Sequence, residues 1–193
     1  MRSKDFDETE VLRKAITIFW KNGYNATSLH DLIDGLGIAR SSIYHAFGDK
    51  HNLYIKALEQ YQQDGTCRML TILDTAATVK EGVKMLLDAV VANAVAKGKP
   101  KGCFKVNAEV EVAAHDKPTN KLVCEDNRII EDAVCAFIKK GQQKGEVDAA
   151  KDARALARFL CTTVTGMQVY AKVTGDKQFF EDIVATALSV FDK

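Results

Sequence analysis

Arg40, Ser41, Ser42, Tyr44 and His45 fall together in the run ARSSIYHAFGDK, with Ile43 as the one apolar side chain among positions 40–45. A guanidinium, two hydroxyls, a phenol and an imidazole are groups that bond phosphate oxygens and base edges. Arg40 can pair with guanine through two parallel bonds, Ser41 and Ser42 can serve phosphate or base, and Tyr44 and the nearby Lys50 suit phosphate. Ile43 and Phe47 are one helical turn apart, so a short helix over about 39–47 buries them and leaves the polar groups on its open side. The same pattern also fits an ordinary amphipathic helix pair with a solvated polar face.

The positioning elements lie just upstream. Leu29, Leu32, Ile33 and Leu36 recur at helical spacing and give a preceding helix one apolar face. Thr27 or Ser28 can cap its amide end, and Ser28 with Asp31 has the form of a capping box. Gly37, in Leu36-Gly37-Ile38, suits the left-handed backbone that commonly ends a helix. Two short helices around a tight turn, the second one polar, form a helix-turn-helix.

The surrounding residues sharpen this reading. Val11, Leu12, Ala15 and Phe19 in VLRKAITIFWKNGYNATS, then Gly23-Tyr24, Thr27, Leu36-Gly37-Ile38, Ile43-Tyr44, Phe47, Lys50 and Leu53 follow in order. From Val11 to about Ala57 the chain resembles the tetracycline-repressor (TetR) family of transcriptional regulators. The resemblance implies Thr27, Ser28 and His30 at the front of the first helix of the motif, near the DNA backbone. It also implies Arg40, Ser41, Ser42, Tyr44 and His45 on the reading helix, and Lys50 on a phosphate. Tyr24 is expected in the core with its hydroxyl outward. Ala39 departs from the pattern, which often has Ser or another capping residue there, and an Ala cap costs about 1 kcal/mol.

Charge contributes little. Up to Lys50, Arg2, Lys4, Arg13, Lys14, Lys21, Arg40 and Lys50 are matched by Asp5, Asp7, Glu8, Glu10, Asp31, Asp34 and Asp49, and the whole chain carries a net +1. That argues against a general polyanion binder acting through bulk electrostatics. Length and composition call for more than a DNA-binding head: 193 residues with 47% hydrophobic content can bury a second core. Division into a head over 1–50 and a body over 51–193 is expected.

The body reads as helices near 50–74, 80–97, 103–114, 118–143, 152–174 and 177–191, with Pro100 and Pro118 in the breaks. The expected fold is therefore all-α, about nine helices, a three-helix helix-turn-helix domain followed by a helical ligand-binding and dimerisation domain. No stretch is long and apolar enough for a membrane span and MRSKDFDETE is too polar for a signal peptide, so a cytoplasmic protein is expected. Cys67, Cys103, Cys124, Cys135 and Cys161 show no paired C-x-x-C spacing, which disfavours a disulfide framework and a zinc site; no metal or cofactor is implied.

In the last two helices Leu156, Leu160, Val164, Met167 and Ala171 form one stripe and Phe180, Val184 and Leu188 another, while Gly166 would let a neighbouring backbone come close. These stripes fit burial within one subunit. The family resemblance instead implies a homodimer, with these residues at its interface and a near-palindromic double-stranded operator as its DNA partner. It also implies a pocket for a small-molecule effector, with Met69, Met85, Cys103, Phe104, Phe137 and Tyr170 as candidate lining and repression relieved by an apolar ligand; each of these residues also fits simple burial in the core.

The alternative is a DNA-binding regulator that works without a small-molecule effector, or one that senses oxidants or electrophiles through Cys103, which follows Gly102 and has Lys99, Lys101 and Lys105 close in sequence. A third function class, an enzyme with Cys103 as nucleophile and His115 as base, lacks an orienting third group or oxyanion-hole motif.

Overall fold

The computed structural model describes residues 6–98 and 100–192, so Arg2, Lys4, Asp5 and Lys99 lie outside the described residues. Among those described there are helices and no strand: α1 (Glu8–Asn22), α2 (Leu29–Leu36), α3 (Arg40–Phe47), α4 (Lys50–Thr75), α5 (Val79–Val95), α6 (Phe104–Glu111), α7 (Lys117–Gln143), α8 (Ala153–Tyr170) and α9 (Lys177–Ser189). The all-α architecture expected from sequence is the one observed. The largest differences in element ends are at α6 and α8. α6 stops at Glu111 rather than 114, where Val112 leaves helical geometry at φ −120°. α8 stops at Tyr170 rather than 174, where the chain tightens and the Val173 amide donates to the Tyr170 carbonyl. Pro118 sits inside the first turn of α7 rather than in the break before it. A missing amide costs nothing there, because the first turn of a helix has no carbonyl to receive it.

The chain packs as two units. The first runs up to Asp64 and takes in Cys103–Val123; the second comprises Gly65–Gly102 and Cys124 onward. This packing division differs from the partition at residue 50, because the front of α4 and all of α6 are built into the first unit. Its core holds Phe19, Leu32, Ile43, Leu53, Tyr54, Leu58 and Phe104. The Phe19 and Phe104 rings stack at 6.3 Å, and Tyr54 meets both edge-on, at 5.2 Å and 5.6 Å. Phe104, far along the chain, thereby fills a space that α1 to α3 leave open.

The second unit gathers α5, α8 and α9 around Leu87, Ile138, Leu160, Met167, Phe180 and Phe191. Here glycines set how closely helices approach. An added Cβ on Gly141 in α7 would lie 2.1 Å from Val79 Cγ2 at the start of α5. Gly141→Ala should therefore cost about 1–3 kcal/mol of stability. In a Val79→Ala background that cost should fall to a few tenths of a kcal/mol, the pattern of a contact-coupled pair in a double-mutant denaturation cycle. Additive costs would mean that this contact does not set the spacing.

Candidate nucleic-acid interface

The reading surface is built from helix ends inward. Asp7 opens α1 by accepting the Thr9 amide at 2.8 Å. Ser28 opens α2 with a complete capping box: its hydroxyl receives the Asp31 amide at 3.1 Å, and the Asp31 carboxylate receives the Ser28 amide at 2.7 Å. The Ser28 hydroxyl, donating to the Asp31 carboxylate at 2.7 Å, and the Ser28 amide hold the Asp31 carboxyl below its ordinary range. α2 ends at Gly37, in left-handed geometry at φ 70°, ψ 27°, a conformation that costs other residues steric strain. α3 begins three residues later at Arg40, with Ala39 as an N-cap that offers no side-chain bond.

On α3, Ile43 and Phe47 are buried while Arg40, Ser41, Tyr44 and His45 are exposed and Ser42 is half-buried. Arg40 leans on its neighbour one turn on: the guanidinium carbon is 5.5 Å from the Tyr44 ring centroid and Nη2 is 3.5 Å from the Tyr44 hydroxyl. Both side chains are exposed, so the pair presents its donors to the open side of the helix. His30 is exposed on α2 and pairs with Asp34 at 3.4 Å. Thr27 does not belong with these. Its side chain is fully buried and its hydroxyl donates to the Gly23 carbonyl, so it ties the end of α1 to the start of α2 and has no face to offer DNA.

Lys50 begins α4, one residue past Asp49, whose carboxylate caps that helix by accepting the Asn52 amide at 2.7 Å. The Lys50 ammonium lies 4.3 Å from the Tyr24 ring centroid. Burial there pushes its pKa below the ordinary lysine value, with Glu111 and Asp31 pulling the other way. Tyr24, expected only as core, is thus the seat that aims Lys50.

The other supports come from α6 and the start of α7. Glu111 accepts the Tyr24 amide at 3.0 Å and the Asn25 amide at 2.7 Å, and Asn107 donates to the Trp20 carbonyl at 3.1 Å. His51 meets Asp116 at 3.0 Å. Burial alone would raise the Asp116 pKa, but the bonds from Thr119 and His51 outweigh it and hold the group low. Nothing near residues 20–25 announces these partners, which lie 86 and 87 residues away in the case of Glu111.

The other candidate residues scatter. Leu156, Leu160, Met167, Phe180 and Val184 are buried in the second unit's own core, with Val164 and Leu188 half-buried against it. The buried residues of the α8 and α9 stripes therefore pack within the chain, against each other and α5. What α8 and the turn after it leave outside is Phe159, Val169, Tyr170 and Val173, with exposures of 39%, 44%, 54% and 84%. Gly166, expected to admit a neighbouring backbone, has open space at its Cβ position.

Of the pocket candidates, Met85 and Tyr170 are exposed, Met69 and Phe137 pack half-buried on the second core, and Phe104 lies in the first core. A cavity of about 280 Å³ in the second unit is bordered by Leu73, Val79, Ala133, Phe137 and Lys140, and Phe137 is the one candidate on its wall. Cys103 is buried as the N-cap of α6, its sulfur 3.4 Å from the Tyr61 hydroxyl, while His115 is exposed in the turn before α7. The Lys101 ammonium bonds the carbonyls of Asn93, Ala94 and Ala96 at the end of α5, and Lys105 is buried.

Residues 11–57 match the family described as bacterial regulatory proteins, tetR family, and residues 79–187 match the tetracyclin repressor-like C-terminal domain. The chain belongs to the TetR family. It is 32% identical to the uncharacterized HTH-type transcriptional regulator YezE of Bacillus subtilis (strain 168), over 99% of both chains. It is 27% identical to the HTH-type transcriptional repressor ComR of Escherichia coli (strain K12), over 98% of this chain and 91% of that one. Among solved structures it is similar to a cysteine mutant of the TetR family regulator CifR complexed with 26-bp double-strand operator DNA, with a TM-score of 0.89, 28% identity, and coverage of 98% and 100% of the two chains. The TetR-family chain is accordingly a helix-turn-helix transcriptional regulator, and α2 and α3 are its helix-turn-helix.

Ala39 is extended at φ −63°, ψ 151°, the geometry of a capping position without a cap. Ala39→Ser should stabilise the chain by about 1 kcal/mol, read from urea denaturation. An unchanged or lowered midpoint would show that the start of α3 is already satisfied.

Proposed function

We propose that the chain is a repressor that binds a near-palindromic operator as a homodimer, with α3 in the major groove, and that a small apolar effector releases it. The observation that carries this is α3 itself: anchored by Ile43 and Phe47, it holds Arg40, Ser41, Tyr44 and His45 in the open. Support also comes from the relative named a repressor and from the structural neighbour solved on operator DNA. The contact set is Ser28, His30, Arg40, Ser41, Ser42, Tyr44, His45 and Lys50, without Thr27. Because basic and acidic groups balance in the head, affinity rests on these placed contacts and on pairing two heads at one site.

Two chains meet, in this reading, through the outward face of α8 and the turn after it, where Phe159, Val169, Tyr170 and Val173 are exposed around Gly166. Apolar side chains gathered on one helix face need a partner to leave water, and a two-fold contact supplies the same face from a second copy.

Binding to a defined operator separates the roles of two side chains. Arg40→Ala should cost about 1–3 kcal/mol and relax base preference at one position of each half-site. Lys50→Ala should weaken all sequences alike and reduce the slope of log affinity against log salt by about one. Equal loss on every sequence for Arg40→Ala would remove it from the base edge. Phe159→Glu should turn a dimer into a monomer by sedimentation and weaken operator binding by more than about tenfold, since one head alone loses half the contacts. A variant that stays dimeric places the interface elsewhere.

A further inference from the structure

Gln62, near the middle of α4 in the first unit, is 5% exposed, and both heteroatoms of its side-chain amide are closed off from solvent with no hydrogen-bond partner among the described residues. Its surroundings on α4 explain the burial but supply no bond. Leu58, one turn before, is fully buried, and the adjacent Tyr61 hydroxyl is directed to the Cys103 sulfur. Other buried polar side chains here are satisfied: Thr27 reaches the Gly23 carbonyl, and Thr119 reaches the Asp116 carboxylate. Buried polar groups are nearly always bonded, and one that is not calls for a partner.

We infer that Gln62 is the point at which the effector's polar group is read, a subsite for an uncharged group that carries a donor and an acceptor side by side. The inference rests on the effector reading above. The chemistry follows from the amide itself, which presents two N–H donors and one carbonyl acceptor. A primary amide or lactam completes both atoms at once through a reciprocal pair of bonds. A carboxylate would serve only Nε2, leave Oε1 bare, and lose its own hydration in a buried place. A pure hydrocarbon would serve neither. The effector class is therefore an apolar molecule with a neutral amide-type or hydroxyl group.

The test uses benzamide, toluene and benzoate with the full chain, together with Gln62→Met and Gln62→Leu, which keep the volume close and remove the amide. Binding is followed by thermal shift and by the side-chain NH2 resonance of Gln62, assigned by its loss in Gln62→Met. Benzamide should bind the natural chain about tenfold tighter than toluene or benzoate and move that resonance, and the preference should vanish in both variants. Without ligand, the variants should melt about 2 °C or more higher, because an unbonded buried amide has been removed.

No benzamide preference in the natural chain, including no binding at all, overturns the subsite, as does a preference that survives in the variants. Variants that melt lower or fail to fold show an amide already satisfied in the free protein, by water or otherwise, and overturn it too. Operator affinity measured alongside keeps the two readings apart. Release of DNA by apolar compounds without dependence on Gln62 removes the subsite and leaves effector release standing. A Gln62-dependent benzamide response that leaves DNA affinity unchanged keeps the subsite and removes its regulatory role.

Discussion

The head depends on one carboxylate. Glu111, at the end of α6, accepts the backbone amides of Tyr24 and Asn25 and so fixes the turn from which α2 departs. The same turn carries Gly23 at φ 83°, where an added Cβ would lie 2.7 Å from a Glu111 carboxylate oxygen, so residue type and tertiary partner constrain each other. From that turn follow the Thr27 hydroxyl bond, the Ser28 cap, the direction of α2 and, after Gly37, the direction of α3. A charged acceptor on two backbone donors is stronger than a neutral bond, and a misplaced turn would shift every exposed group on α3 together.

The neutral charge balance of the head has a structural origin. Asp7, Asp31 and Asp49 each sit at the start of a helix and bond its free amides, while Glu8 pairs with Lys56 and Glu10 with Lys14. These acids offset helix-end amides and neighbouring lysines instead of facing a polyanion. Arg40 is held differently, against the Tyr44 ring, an arrangement that leaves most guanidinium donors free. Formal charge therefore understates what the surface around α3 can do.

How much could be read from the sequence divides along the range of the interactions. Short-range features were visible: the Ser28–Asp31 box, Gly37 as the end of α2, and the burial of Ile43 and Phe47 against an open polar side. Thr27 is not legible in the same way, because capping chemistry and burial look alike in one dimension; its hydroxyl points back to Gly23. The α8 and α9 stripes showed correctly that those residues leave water, but periodicity does not say whether the covering surface belongs to the same chain or another. Glu111, Asn107 and Asp116 carry no local signature, since each acts on backbone or side chains at a distance in sequence. The Gln62 amide is likewise invisible until three-dimensional packing shows that nothing meets it.

Phe104, Ala108, Val112 and Val123 belong to the same core as Phe19 and Ile43, although they stand far downstream of the helix-turn-helix. The reading head is consequently not a detachable N-terminal module. A hybrid made by joining the first 50 residues to the body of another regulator would inherit a foreign α6 and a foreign partner for the Tyr24 and Asn25 amides. Exchange between relatives is then constrained to bodies that bring a matching aromatic and a matching acceptor, which ties divergence of the helical body to that of the helix-turn-helix head.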